Sequence, residues 1–359
     1  MSQKVSGLYK EALSTKKESK NKATELDLRV DVDGKRPMNV VSGDLYSILN
    51  KTRRYVSSFR FEGVKKAKTA KNETLIAGRL GKFDPDENHF SDIKVTISTH
   101  SFPITANVQW RNSSGTISSC LCRYKSKYFR RVQLKHDSEE GVTPFEYYDP
   151  AELFSKSPRW ARPISIFGAF AEAGIEMTIA KKKTERIPHP KIIPGKGSFW
   201  TDTELRAVIP KHFRSLNCKP QWKLWLFSAL EYAISNTKGM MIFYGGKRIG
   251  CAVFQNATGW QDAIEKRMRL FVYIHELGHC FNLQHPWIRP EGNAFAGNDY
   301  STLSWMNYPW TYFASEESRG RDAFWKLFRF QFSDSELLHL RHAFRDDIII
   351  GGRNFKGSH

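Results

Sequence analysis

His275, Glu276, His279 and His285 stand at chemically useful intervals in HELGHCFNLQH, residues 275–285. On a helix, side chains four apart share a face about one turn from each other, so His275 and His279 can aim two imidazoles at one point. Zinc takes imidazole nitrogens at about 2.0–2.1 Å, and a catalytic zinc keeps three protein ligands and one open position for water. Glu276 lies slightly to one side, within reach of that water without occupying the metal, which is the HExxH logic of zinc peptidases. One catalytic Zn2+ is therefore the expected cofactor.

The third ligand has to come from beyond the helix, because His285 is too far along to stay on the same face. The chain must turn sharply after His279 and bring His285 back. Such a turn usually needs a left-handed residue, most often glycine and next asparagine. Asn282 falls where glycine is commonest, and it is expected to make the turn at a modest conformational cost. The opposing reading, two ordinary histidines on a polar helix face, conflicts with the apolar run FVYIHELGHCFNL, in which unpaired imidazoles are costly. Cys280, one position past His279, points about 100° away around the helix and is read as packing.

The elements around this stretch follow from periodicity and punctuation. Asp262 and Glu265 begin the motif helix, and Thr201 with Glu204 opens an earlier one by a capping box, with Pro210 as its break or kink. Pro163 occupies the first position of another helix, ISIFGAFAEAG, with Gly174 after its last turn. KLWLFSAL, GMMIFYG and RIGCAVFQ read as strands, and Ser333 with Glu336 starts a final helix. Residues 37–150 are short β-branched and aromatic runs separated by turn residues, which predicts a β-sandwich-like accessory domain. Residues 1–36, Lys-rich and poor in aromatics, are expected to be a flexible basic tail. The expected boundaries are thus 1–36, 37–150 and 151–359. Cys120 and Cys122 are read as packing residues, and His212, His339 and His342 as structural or exposed.

Bulk properties bound the partners. The net charge is +19, from 56 Lys and Arg against 37 Asp and Glu, but only residues 51–71 concentrate it and no nucleic-acid-binding signature accompanies it. Nucleic acid is therefore not the expected partner, and charge is assigned to solubility or substrate steering. No stretch reaches the roughly 18–20 apolar residues that span a bilayer. The first residues, MSQKVSGLYKEALSTKKESK, lack the apolar run of a secretory signal, so a cytoplasmic location is expected, with a removed leader or another export route as the alternatives. Five cysteines without a pairing framework fit a reduced compartment.

With SWMNYPW following it, HELGHCFNLQH resembles the metzincin metallopeptidases, whose pattern is HExxHxxGxxH and a later Met-turn, here in a variant with Asn282 at the glycine position. The resemblance implies zinc ligands at His275, His279 and His285, the general base at Glu276 and the Met-turn methionine at Met306. It further implies that Tyr308 is an extra zinc ligand and transition-state stabiliser. The fold class it implies is α+β, a metzincin-like catalytic domain of twisted sheet, active-site helix and C-terminal helix, preceded by the all-β sandwich-like domain. RIGCAVFQ is the expected rim along which an extended protein or peptide substrate lies, and the pocket beside the metal is walled by residues after Met306, among them Pro309 and Trp310. The function implied is a zinc metalloendopeptidase. Its alternatives are a catalytically silent zinc-containing binding protein and a basic nucleic-acid-binding protein.

Overall fold

The structure, a computed structural model, describes residues 4–11, 23–50, 52–69, 73–85, 90–99, 103–112, 115, 117–145, 147–153, 161–180, 184–189, 199–213, 219–234, 236–255, 263–288 and 299–354. Cys218 and Asp262 lie outside the described residues. The chain divides into two compact units, one of residues 1–130 and 338–345 and the other of residues 131–337 and 346–359. Among the described residues 44% are strand and 22% helix, which overturns the α+β expectation in favour of a β-rich fold with one large curled sheet.

In the first unit ten strands form a single antiparallel sheet: β1 (Gly7–Glu11), β2 (Ala23–Asp31), β3 (Val40–Leu49), β4 (Thr52–Phe61), β5 (Lys65–Lys68), β6 (Thr74–Arg79), β7 (Lys82–Asp84), β8 (Phe90–Ser98), β9 (Thr105–Asn112) and β10 (Ile117–Ser126). Their order is β5-β6-β8-β9-β10-β1-β2-β3-β4-β7. The two-residue side-chain period puts Leu26, Leu28 and Val30 of β2 on the core face with Ile93, Val95 and Ile97 of β8. The sheet curls until its ends meet. A Cβ on Gly78 of β6 would stand 3.0 Å from the Cβ of Phe61 on β4.

This corrects two expectations. A sandwich of two sheets over 37–150 is replaced by one curled sheet, and the supposed tail supplies β1 and β2 at its middle. Composition misled there, because β2 carries Glu25, Asp27, Arg29 and Asp31 on the face opposite its apolar residues. Arg29 and Asp44 of β3 are both buried and joined at 2.6 Å, a geometry that offsets their desolvation. Residues 338–345 close over the same face. Arg341 pairs with Asp31 at 2.9 Å, buried His342 bonds Ser42 at 2.9 Å, and Arg130 donates to the carbonyls of Leu340 and Ala343. Cys120 and Cys122, two apart on β10, share a face with their sulfurs 3.8 Å apart, and Cys122 is in the core.

The second unit holds β11 (Arg130–Glu139), β12 (Tyr147–Tyr148), β13 (Ile164–Ser165), α1 (Ile166–Glu172), β14 (Ile175–Ile179), β15 (Arg186–Ile187), α2 (Asp202–His212), β16 (Lys223–Ala229), β17 (Gly239–Tyr244), β18 (Lys247–Phe254) and α3 (Ala263–Cys280). Ser165, not Pro163, caps α1, its hydroxyl accepting from the Gly168 amide. The capping box of Thr201 and Glu204 opens α2, which runs through Pro210 to His212. The sheet order is β14-β11-β16-β18-β17, with β15 beside β11. Strands β11, β16 and β18 are parallel, and β17 runs antiparallel to β18 at the margin. Among the described residues the edge strand on this side is therefore β17, not the RIGCAVFQ strand expected to form the rim, which lies inside the sheet. Alternation sends Trp225 and Phe227 of β16 toward α2 and Ser228 toward α3, where it bonds the Tyr273 hydroxyl at 2.6 Å. Short helices follow at Gly320–Leu327, Asp334–His342 and Arg345–Ile348, the second opened by Ser333 and Glu336 as a capping box. Among the described residues no helix is long and apolar enough to cross a membrane.

Candidate metal centre

Helix α3 is held down by Leu270, Phe271, Val272, Ile274 and Leu277, all buried. That packing fixes the rotation of the helix and so the direction of His275 and His279. The helix ends in a Schellman pattern: the Leu283 amide bonds the Gly278 carbonyl at 3.1 Å and the Asn282 amide bonds the His279 carbonyl at 2.8 Å. Asn282 carries φ 67°, the left-handed conformation that the turn requires. Its side chain does something glycine cannot. Nδ2 donates to the carbonyls of Asp347 at 2.8 Å and Arg353 at 3.3 Å. Buried Arg248 strengthens the same junction, donating to the Cys280 carbonyl left open by the helix end and to that of Arg353, both at 2.7 Å. Asn282→Gly keeps the turn but loses both side-chain bonds, so it should lower stability by about 1–2 kcal/mol. Denaturant melts of the two proteins check this, and equal midpoints would show that the amide contributes nothing.

The turn brings the three imidazoles together. Their Nε2 atoms are 3.1 Å (His275 to His279), 3.2 Å (His275 to His285) and 3.2 Å (His279 to His285) apart. Two of the rings have their tautomer fixed. His275 Nδ1 meets the Trp305 carbonyl and His279 Nδ1 the Leu283 carbonyl, each at 2.8 Å. A carbonyl only accepts, so both Nδ1 atoms carry the proton and both Nε2 atoms present lone pairs to the shared centre. Tetrahedral ligands at zinc distances are about 3.3 Å from one another, close to the separations found. Three converging Nε2 atoms, two of them held as lone-pair donors by protonated Nδ1 atoms, make a set that suits a divalent cation. Among the described residues no other histidine, cysteine or carboxylate joins this group. Burial depresses all three imidazoles, His279 to about 4 and His285 to about 3, so they are neutral at pH 7.

His285 is held differently. Among the described residues its Nδ1 has no protein partner; instead the Trp287 indole lies on the ring at 4.5 Å between centroids and 5° between planes. Trp287 is stacked in turn with Tyr300 at 5.7 Å and 6°. Trp287→Ala should therefore weaken zinc affinity about tenfold, the low end for outer supports of a metal site. Competition with a fluorescent chelator reads it, and unchanged affinity would mean that the stack is incidental.

The remaining expected residues surround the same point. Met306 is wholly buried, and a Cβ on Gly278 would stand 2.4 Å from its sulfur, so the methionine packs directly under the motif helix. The Tyr308 ring lies 5.2 Å from that of His275 and 4.6 Å from that of His285. Glu276 is not in the imidazole group. It lines a cavity of about 450 Å³ with His275, Tyr308, Met268, Phe271, Val272, Trp310, Gly239 and the 236–238 segment. Among the described residues its carboxylate has no protein hydrogen-bond partner, and burial alone pushes its pKa up to about 8. A divalent cation beside it would favour the ionised form. Tyr308 is pushed up to about 12, by burial first and then by Glu276. Cys280 is buried outside the triad, next to Cys251, as packing. Sequence reading missed Trp287, Gly239 and the two carbonyls that orient the rings. Trp287 alone left a signal, an aromatic two residues after a ligand.

Comparison of the chain with protein-family models and with curated proteins returned no match.

Proposed function

We propose that this chain is a zinc-dependent endopeptidase of the metzincin type by its ligand set and Met-turn residue, on a chain that is β-rich as a whole. The observation that carries the reading is the triangle of Nε2 atoms 3.1–3.2 Å on a side, one of whose rings, His275, lines a largely apolar cavity together with Glu276. When bound, zinc would lower the pKa of a water toward about 7 and polarise a carbonyl oxygen. His275, His279 and His285 hold the ion as neutral ligands. Glu276 accepts a proton from the nucleophile and returns it to the leaving amine, and its place in the cavity wall, with no competing partner among the described residues, suits both duties. The Tyr308 ring, packed on His275 and His285, carries a hydroxyl that can donate to the developing oxyanion. Strand β17, at the margin of its sheet among the described residues, offers main-chain groups to an extended peptide, and Met268, Phe271, Val272 and Trp310 offer apolar contact to one of its side chains.

Digestion of a denatured protein by the purified chain, with and without a zinc chelator, tests the reading. Cleavage that stops with chelation and returns with zinc is expected. Zinc-loaded protein that cuts nothing in a broad peptide library would favour a silent zinc-binding protein instead.

A further inference from the structure

Gly239 begins the edge strand β17, and the backbone there does not call for a glycine, since its φ lies outside the left-handed region. The requirement is space. A Cβ built on Gly239 would stand 2.5 Å from Cγ, 2.9 Å from Cδ and 2.9 Å from Oε1 of Glu276. Carbon atoms in contact prefer about 3.5–4.0 Å, so the two side chains cannot occupy these positions together. All three obstructing atoms belong to the Glu276 side chain and none to main chain. The backbone of Glu276 is fixed within α3, while its carboxylate borders the open cavity of about 450 Å³. A side chain at 239 would therefore swing the carboxylate into the cavity before it moved the strand.

We propose that Gly239 is a positioning residue: the side chain it lacks is the slot in which the carboxylate of Glu276 is held, beside His275, between α3 and the edge strand. For its effect on turnover this rests on the peptidase reading; for the packing it does not. Alanine is the smallest probe of the slot. It is compatible with the strand backbone and by itself restricts the unfolded chain, which favours folding.

The test is a cycle of four proteins: wild type, Gly239→Ala, Glu276→Ala and the double variant. Zinc content, Tm and peptide hydrolysis are measured on each full-length chain. With Glu276 present, Gly239→Ala should shift Tm about 2–4 °C further downward than it does in the Glu276→Ala background, the effect expected of one off-rotamer side chain. In that background, where the carboxylate is gone, the same substitution should leave Tm level or raised. Zinc should remain at one equivalent in all four. Where wild type cleaves peptide, Gly239→Ala should lower kcat about tenfold or more with little change in KM, because a base is displaced and no binding contact is lost. Equal Tm shifts in the two backgrounds would overturn the proposal even if peptidase activity is found. Unequal shifts in a protein that cuts nothing would uphold the slot and reject the peptidase reading.

Discussion

Glu276→Gln is expected to lower kcat by about 10²–10⁴-fold while zinc stays bound, the range lost with a general acid–base group. Glutamine has the same shape as glutamate, so it fits the space beside Gly239 and lines the same cavity. It cannot take up a proton. Because Glu276 is not one of the three imidazole ligands, its replacement leaves the metal site intact. Among the described residues its carboxylate makes no protein hydrogen bond, so no network collapses with it, and removing a buried carboxyl should leave Tm level or slightly raised. Steady-state kinetics beside zinc analysis of the same preparation makes the check. A variant that keeps a third of wild-type kcat would remove Glu276 from the mechanism.

The second large effect is expected for His279→Ala, which should take bound zinc from about one equivalent to a small fraction of that after dialysis. Two imidazoles form a far weaker site than three. His279 also donates to the Leu283 carbonyl at 2.8 Å, so alanine loosens the turn that returns His285 to the centre. A ligand that binds only the folded state raises its stability by mass action. Wild-type Tm should therefore fall when a chelator is added, and the His279→Ala Tm should not respond. A variant retaining stoichiometric zinc, or a wild-type Tm indifferent to chelation, would contradict the assignment.

The site was more legible than the fold around it. Local rules fix HELGHCFNLQH: helical periodicity gives the pairing of His275 with His279, and the need for a left-handed residue predicts the conformation found at Asn282, φ 67°. Capping boxes at Thr201 and Ser333 were readable for the same reason, since donor and acceptor are three residues apart. Non-local facts were not. Nothing in ATELDLRVD says that Arg29 will meet Asp44, and without that partner its charges look like those of a solvated tail. Strand order is equally silent in sequence. GMMIFYG and RIGCAVFQ read alike, yet only pairing decides that β17 is the edge and β18 lies inside. Asn282 shows both limits at once: its backbone role follows from neighbours in sequence, while its bonds to Asp347 and Arg353 span more than sixty residues.

Zinc K-edge X-ray absorption of the purified chain reads the type and number of ligands around the ion without reference to activity. Three imidazole nitrogens at about 2.0–2.1 Å and one further light scatterer are expected, with the imidazole signature lost from the His279→Ala protein. Sulfur scattering near about 2.3 Å, or a protein that takes up no zinc at all, would contradict this assignment.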